Sequence, residues 1–127
     1  MQTVYINSDI SVEGYGIFDS NLKNAYLSEG ITKINGLFSG CSGIETIDLP
    51  NSLTDIGNHA FYGCTNLALT SLPSGITSIG SNAFDGCTNL ALTSLPSGIT
   101  NIIRRSFNGC SSLRITSIPH GVKKIKS

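Results

Sequence analysis

The chain has 127 residues, enough for one small domain and too few for two independent hydrophobic cores. Its eight basic and eight acidic residues cancel, so no global charge attracts it to nucleic acid or a membrane surface. No apolar run approaches the ~20 residues of a membrane helix, and the N-terminal MQTVYINSDI lacks the pattern of a signal peptide.

Residues 1–28 are predicted to form an N-terminal cap and a degenerate first coil of the repeat that follows. The segment LKNAYLSEGITKI resembles the later LALTSLPSGITSI, with Leu22 matching Leu67 and Ile31 matching Ile76, but it lacks the proline. Upstream, NSDISVEGYGIFDSN shows no trace of the repeated apolar pattern. A cap is expected because the open end of a solenoid exposes strand edges and core.

Residues 29–127 are predicted to form a repeat solenoid ending in a short C-terminal cap strand, in one structural domain with residues 1–28. The units are 29–50, 51–73, 74–96 and 97–119, and a fifth begins at HGVKKIKS. Three residue types recur every 23 positions: Phe38, Phe61, Phe84 and Phe107; Cys41, Cys64, Cys87 and Cys110; Pro50, Pro73, Pro96 and Pro119. A fixed period of this length is typical of stacked coils, in which equivalent side chains lie about 4.8 Å apart in columns.

Each coil is predicted to contain two short strands and one tight turn, which makes the fold class an α/β solenoid that is mostly β. LALTSLP resembles a strand stopped by proline, because proline cannot donate to a ladder. GITSI is predicted to be a second strand, after a turn through Ser74 and Gly75. GSNAFDGC is predicted to form a single helical or 3₁₀ turn, with glycine before the cysteine allowing the chain to bend.

The pattern IGSNAFDGCTNL…LP…ITSI resembles the BspA-like, or Treponema-type, class of leucine-rich repeats over about residues 29–125. The resemblance implies a right-handed, curved superhelix with strands on its inner face. It also implies a surface or secreted protein of a bacterium or protist that is associated with adhesion, or a phage or prophage protein.

One departure from the family pattern concerns apolar spacing after the cysteine. The first unit has the usual spacing of three, six and eight residues, with Ile44, Ile47 and Leu49. The next three units use three, five and eight, which places Leu69, Leu92 and Ile115 at the fifth position. On a regular strand, residues five and eight after cysteine point to opposite faces. Either a bulge turns both inward, or Leu69, Leu92 and Ile115 form an exposed apolar stripe that binds a partner.

Neither a metal site nor a catalytic site is predicted, and no cofactor is expected. Zinc sites are formed by clustered cysteine pairs. These cysteines instead lie one per coil and are expected to pack as a buried column of thiols. The two histidines, His59 and His120, fall in different units and at different phases of the repeat. No paired carboxylates or phosphate-binding loop accompany them.

Positions that vary between matching units are candidate binding residues on the lateral edge of the coils. His59 is equivalent to Asn82 and Arg105, and Tyr62 is equivalent to Asp85 and Asn108. With Arg104, these positions are predicted to point outward, where specificity can be encoded or where sequence drifts freely.

Charge is predicted to differ between the two ends. Residues 1–55 hold seven acids against Lys23 and Lys33, and residues 104–127 hold six basic residues and no acid. One interpretation of this charge difference is functional: the basic end binds an acidic partner, or binds weakly to the acidic end of another copy in end-to-end self-association. The other interpretation is that the charges keep the two caps soluble.

The preferred functional hypothesis is a non-catalytic protein-binding module, acting in adhesion or recognition through its concave and lateral surfaces. The partner is expected to be a protein, including a glycan-bearing surface protein, with no nucleic acid and no membrane insertion. A stand-alone intracellular inhibitor of phage or effector type, and a structural fragment of a longer array, are the alternatives. The compartment follows the hypothesis: cell surface or secreted by resemblance, cytoplasmic for the inhibitor.

Overall fold

The computed structural model describes residues 2–7, 16, 18–103, 105–116 and 119, together with the backbone of 124–125. It is a mostly-β solenoid of about four turns. Within that part of the chain the strands are β1 (Thr3–Ile6), β2 (Asn24–Leu27), β3 (Lys33–Ile34), β4 (Thr46–Asp48), β5 (Asp55–Ile56), β6 (Ser78–Ile79), β7 (Asn101–Ile102) and β8 (Lys124–Ile125). A 3₁₀ helix spans Gly36–Phe38.

The strands form two parallel sheets that run along the solenoid. The first sheet has the order β1-β2-β4, and the second has the order β3-β5-β6-β7-β8. In the second sheet Ile56 pairs with Ile79 and Ile79 pairs with Ile102, which are 23 residues apart. The register of the ladder therefore equals the period of the sequence, as predicted for coils stacked in phase.

Columns of identical side chains fill the turn side of each coil. Phe38, Phe61, Phe84 and Phe107 stack in series, with ring centroids 5.7, 5.3 and 5.5 Å apart and planes within 11° of parallel. This arrangement confirms the predicted alignment of the phenylalanines. A further ring extends the column, since Phe18 stacks on Phe38 at 5.4 Å. The expectation that the apolar pattern is lost upstream of Leu22 is therefore wrong at Phe18.

The cysteines form a second column, buried beside the first. Each thiol donates to the carbonyl of the phenylalanine in the preceding coil; the Sγ–O distance is 3.1 Å from Cys64 to Phe38 and 3.0 Å from Cys87 to Phe61. All four cysteines are free and buried, which confirms the predicted column of thiols. The glycine before each cysteine has positive φ, for example 81° at Gly86, so the bend expected there is present.

One core joins both sheets and the turns. Inward side chains of the first sheet, such as Ala25 and Ile47, pack in the same cluster as Ile56 and Ile79 of the second sheet and the phenylalanine column. Isoleucine suits these positions because a β-branched side chain packs well on a pleated surface.

The two strand predictions have different outcomes. The GITSI prediction is confirmed at β6 and at the equivalent strands β5 and β7. The LALTSLP prediction is wrong, because residues 67–73 and 90–96 contain no strand. The corresponding segments form strands in the two preceding coils, as β2 and as β4 in the unit with the usual family spacing.

Candidate binding surface beside the first sheet

The outer face of the first sheet carries a row of side chains that the core does not use. On β2, Ala25 and Leu27 are buried and the residue between them, Tyr26, points outward. Because side chains alternate across a strand and the strands are in register, Tyr5, Tyr26 and Asp48 lie side by side across β1, β2 and β4.

Tyr5 and Tyr26 form an exposed aromatic pair. Their ring centroids are 5.1 Å apart with planes 16° from parallel, and 69% and 41% of their surfaces are exposed. A tyrosine pair of this kind offers a broad apolar face with a polar hydroxyl at its edge, the combination favoured at protein interfaces. The signal for this row in the sequence is the alternation within TVYI and NAYL, which places both tyrosines on the same face.

The ladder of the first sheet ends at β4. The N–H of Thr46 donates to the carbonyl of Lys23 at 3.2 Å, which ties β4 to the preceding coil. Towards the following coil, the N–H of Ala68 donates to the carbonyl of Glu45 at 3.2 Å. In the described part of the chain, no hydrogen bond joins β4 itself to residues 69–72.

The break comes from a shift of one residue in the bonding pattern. Ala68, Ala91 and Arg114 are equivalent, each lying four residues after its cysteine. Ala68 bonds to Glu45, the equivalent position one coil back, whereas Ala91 bonds to the carbonyl of Leu69, one position later. The later coils therefore follow a different path from β4 on this face, and β4 is left as an edge strand.

A groove lies along this break. One cavity of about 370 Å³ is lined by Asp48, Leu72 and Pro73 among others, and a second of about 210 Å³ is lined by Glu45, Thr46 and Thr70 among others. Both are also lined by Ile47, Leu69 and Ser71. The larger volume is in the range of ligand clefts, roughly 300–1,000 Å³.

The groove carries negative charge. Glu45 and Asp48 are exposed and line one cavity each, and no lysine or arginine lines either. Within the described residues, neither carboxylate has a hydrogen-bond or ion-pair partner. By contrast, the Glu29 carboxylate accepts hydrogen bonds from the backbone N–H of Asn51 and Ser52 at 3.0 and 3.1 Å, so it links two coils.

The predicted apolar stripe is not a surface row. Leu92 is completely buried, so its candidacy as an exposed binding residue is wrong. Leu69 and Ile115 are half-buried and pack against the core. In the coil of Leu92 the inward alternative holds, because Leu95 is also buried there. Leu69 nevertheless lines the groove.

On the lateral edge, the structure separates the candidates. Tyr62 is 44% exposed and contacts the half-buried His59 edge-on, with ring centroids 5.4 Å apart. Arg105 is exposed, and Arg104 lies outside the described residues. Asp85 is 9% exposed: Oδ2 accepts from Asn82 Nδ2 at 2.6 Å and Oδ1 from Asn108 Nδ2 at 3.0 Å. The prediction that Asp85 points freely outward is therefore wrong, because its carboxylate joins two coils.

Backbone conformation also restricts this edge. His59, Asn82 and Arg105 have φ of 60°, 57° and 57°. The left-handed region disfavours most side chains other than glycine and asparagine. At these three equivalent positions the fold therefore fixes the backbone conformation, while the side chain differs from coil to coil.

The thiols are held in their unreactive form. Burial raises the pKa of Cys41 and Cys110 to about 11, and it raises the pKa of Cys64 and Cys87 further. A protonated thiol is a poor nucleophile and a poor metal ligand. In the described part of the chain, no three His, Cys, Asp or Glu side chains cluster as a metal site. None of the helices described there is long and apolar enough to cross a membrane.

Comparison with known proteins identifies the repeat. Residues 35–127 match the family model described as "BspA type Leucine rich repeat region (6 copies)". A search of curated protein sequences finds no significant match.

Three solved structures share the fold. A leucine-rich cell surface protein from Faecalibacterium prausnitzii is 28% identical with a TM-score of 0.81, over 100% of this chain and 35% of that one. The T. pallidum leucine-rich-repeat protein is 26% identical with a TM-score of 0.58, over 95% of this chain and 65% of that one. A Bacteroides ovatus leucine-rich-repeat protein is 20% identical with a TM-score of 0.54, over 98% of this chain and 48% of that one, and shows the fold alone. The chain thus spans about a third of the F. prausnitzii protein.

Proposed function

Because the chain belongs to the BspA type leucine-rich-repeat family, we propose that it is a non-catalytic module that binds a protein partner through the outer face of its first sheet. The stacked, exposed pair of Tyr5 and Tyr26 carries this proposal. Exposed aromatic side chains that the core does not use are a feature of interaction sites.

Adhesion or recognition at a cell surface is the finer part of the proposal. It is supported by similarity to the leucine-rich cell surface protein of F. prausnitzii. The lateral edge around Tyr62 and Arg105 is a second surface on which a partner can make contacts.

The test is binding to an array of surface and secreted proteins, with a double variant, Tyr5→Ser/Tyr26→Ser. We expect saturable binding of the wild type to discrete array proteins and at least a tenfold rise in Kd for the double variant, with little change in Tm. Tyr62→Ser tests the lateral edge separately, since Tyr62 is about as exposed as Tyr26 but lies on the turn side. Loss of binding in the Tyr62 variant alone would move the site to the lateral edge, and no saturable binding would reject the module.

Adhesion is tested separately, with beads coated in the protein and applied to cells that display an array-identified partner. Soluble wild-type protein should block attachment, and the double tyrosine variant should not. Attachment that survives both competitors at equal levels would contradict adhesion through this face.

A further inference from the structure

We propose that the groove beside β4 receives an extended, basic segment of the protein partner, which adds as a strand to the free edge of β4. This inference rests on the proposed protein-binding function and names the chemistry of the partner.

The backbone of β4 presents unused hydrogen-bonding groups to the groove. In a parallel ladder, alternate residues direct their N–H and carbonyl groups to opposite neighbours. Thr46 uses its N–H towards the preceding coil, so the N–H and carbonyl of Ile47 face the following coil. In the described residues no hydrogen bond from 69–72 reaches them. A free strand edge of this kind is a template for an added strand.

The shape of the groove favours an extended chain over a compact ligand. Its two cavities share Ile47, Leu69 and Ser71, so they adjoin along the break in the ladder. One end is closed by the hydrogen bond between Ala68 and Glu45. The other end reaches the proline turn at Pro73 and Ser74.

Charge selects a basic segment. The carboxylates of Glu45 and Asp48 border the groove without a partner among the described residues, and no basic side chain lines it. Asp48 also continues the row of Tyr5 and Tyr26. A strand added beyond Asp48 would place one of its side chains next in that row, where opposite charges across strands attract.

The probe is a labelled peptide of alternating Arg and Val, with an acidic analogue in which Glu replaces Arg. Fluorescence anisotropy should show that the basic peptide binds at least tenfold more tightly than the acidic one. Glu45→Gln/Asp48→Asn should weaken that binding at least tenfold. Asp55→Asn, which removes one carboxylate charge from the second sheet, should leave it unchanged.

Backbone pairing is tested with two further peptides, N-methylated at every Val or at every Arg. Because a strand pairs through one edge, one of these should lose at least tenfold in affinity and the other should bind as the parent does. Equal binding of both would reject strand addition and indicate charge attraction alone. Retained binding in the Glu45/Asp48 variant would reject the basic specificity.

Failure of this inference differs from failure of the proposed function. An array-identified partner that needs Tyr5 and Tyr26 but is not displaced by the basic peptide would overturn the groove while leaving the module intact. The peptide assay does not depend on Tyr5 and Tyr26. If the protein binds the basic peptide but no protein of the array, the proposed function is rejected and peptide binding at the groove still stands.

Discussion

The coil that contains Cys41 and the coil that contains Cys87 bury different positions of the equivalent segment. Counted from the cysteine, the buried residue lies one position later in the first of these coils than in the second. Ile47, six residues after Cys41, is buried in β4, whereas Leu92, five residues after Cys87, is buried with no strand around it. The phenylalanine and cysteine columns run unbroken through both regions. A solenoid can therefore lose one ladder while its turn-side packing holds the coils in phase.

The largest expected effect is a loss of stability when the buried position of either coil receives a charge. Leu92→Asp places an unpaired carboxylate in the core and should lower the free energy of unfolding by about 3–5 kcal/mol or prevent folding. Its neighbour Thr93 is exposed, so Thr93→Asp should stay within about 0.5 kcal/mol of wild type. In the coil of β4 the order reverses: Ile47→Asp should be severe and Thr46→Asp mild. Urea denaturation measures all four, and similar losses in both members of a pair would contradict the shift.

A second prediction concerns the thiol column that both regions share. The folded protein holds the thiol pKa values above the ordinary value of 9.0, to about 11 at Cys41 and Cys110. The protonated thiols therefore contribute their full stabilisation of the folded state below pH 9, and this contribution is lost as the pH rises towards the pKa values of the folded state. Stability to urea should fall steeply between pH 9 and pH 11, and less steeply in Cys87→Ser. Identical pH slopes would assign the loss to other groups.

A third prediction sharpens the comparison by converting one coil to the other pattern. Leu69→Thr/Thr70→Leu gives the second unit the apolar spacing of the first. The converted segment should pair with β4 and close the groove, with a change in stability of about 1 kcal/mol or less. Hydrogen exchange should show increased protection of the Ile47 amide, and the basic peptide should lose affinity. Unchanged exchange at Ile47 would show that spacing alone does not set the ladder.

The smallest expected effect lies on the turn side, where the two regions do not differ in design. Arg105 holds a left-handed φ of 57° in an exposed position. Arg105→Gly should raise the free energy of unfolding by up to about 0.5–1 kcal/mol, because glycine adopts this conformation without strain. Asn82→Gly should have less effect, since asparagine tolerates the region and its side chain bonds to Asp85. Thermal unfolding measures the difference, and equal gains would contradict the strain argument.

Much of the fold was predictable from the sequence because the repeat encodes it directly. The period placed Phe61 on Phe84 and Cys64 beside Cys87, since residues at the same phase of a stacked solenoid must lie together. Phe18 was missed because the first coil is shorter, so its phase cannot be counted from a fixed period.

The candidate site was less predictable. Tyr5 and Tyr26 could have been found from alternation within TVYI and NAYL, but only the pairing register shows that they stack. Asp85 varies between units, which suggested a free surface position, yet two amides satisfy it. Variation between repeats does not distinguish a solvated side chain from one that bonds across coils.

By itself the sequence determined the period, the turn-side columns and the strands of the second sheet, because each depends on residues equivalent in every coil. Only the tertiary structure decided that the first sheet stops at β4 and that Leu92 turns inward. The physical reason is that a ladder needs matching backbone paths in two coils at once, and a shift of one residue reverses which groups face the neighbour. That mismatch between coils, which neither segment shows alone, creates the groove.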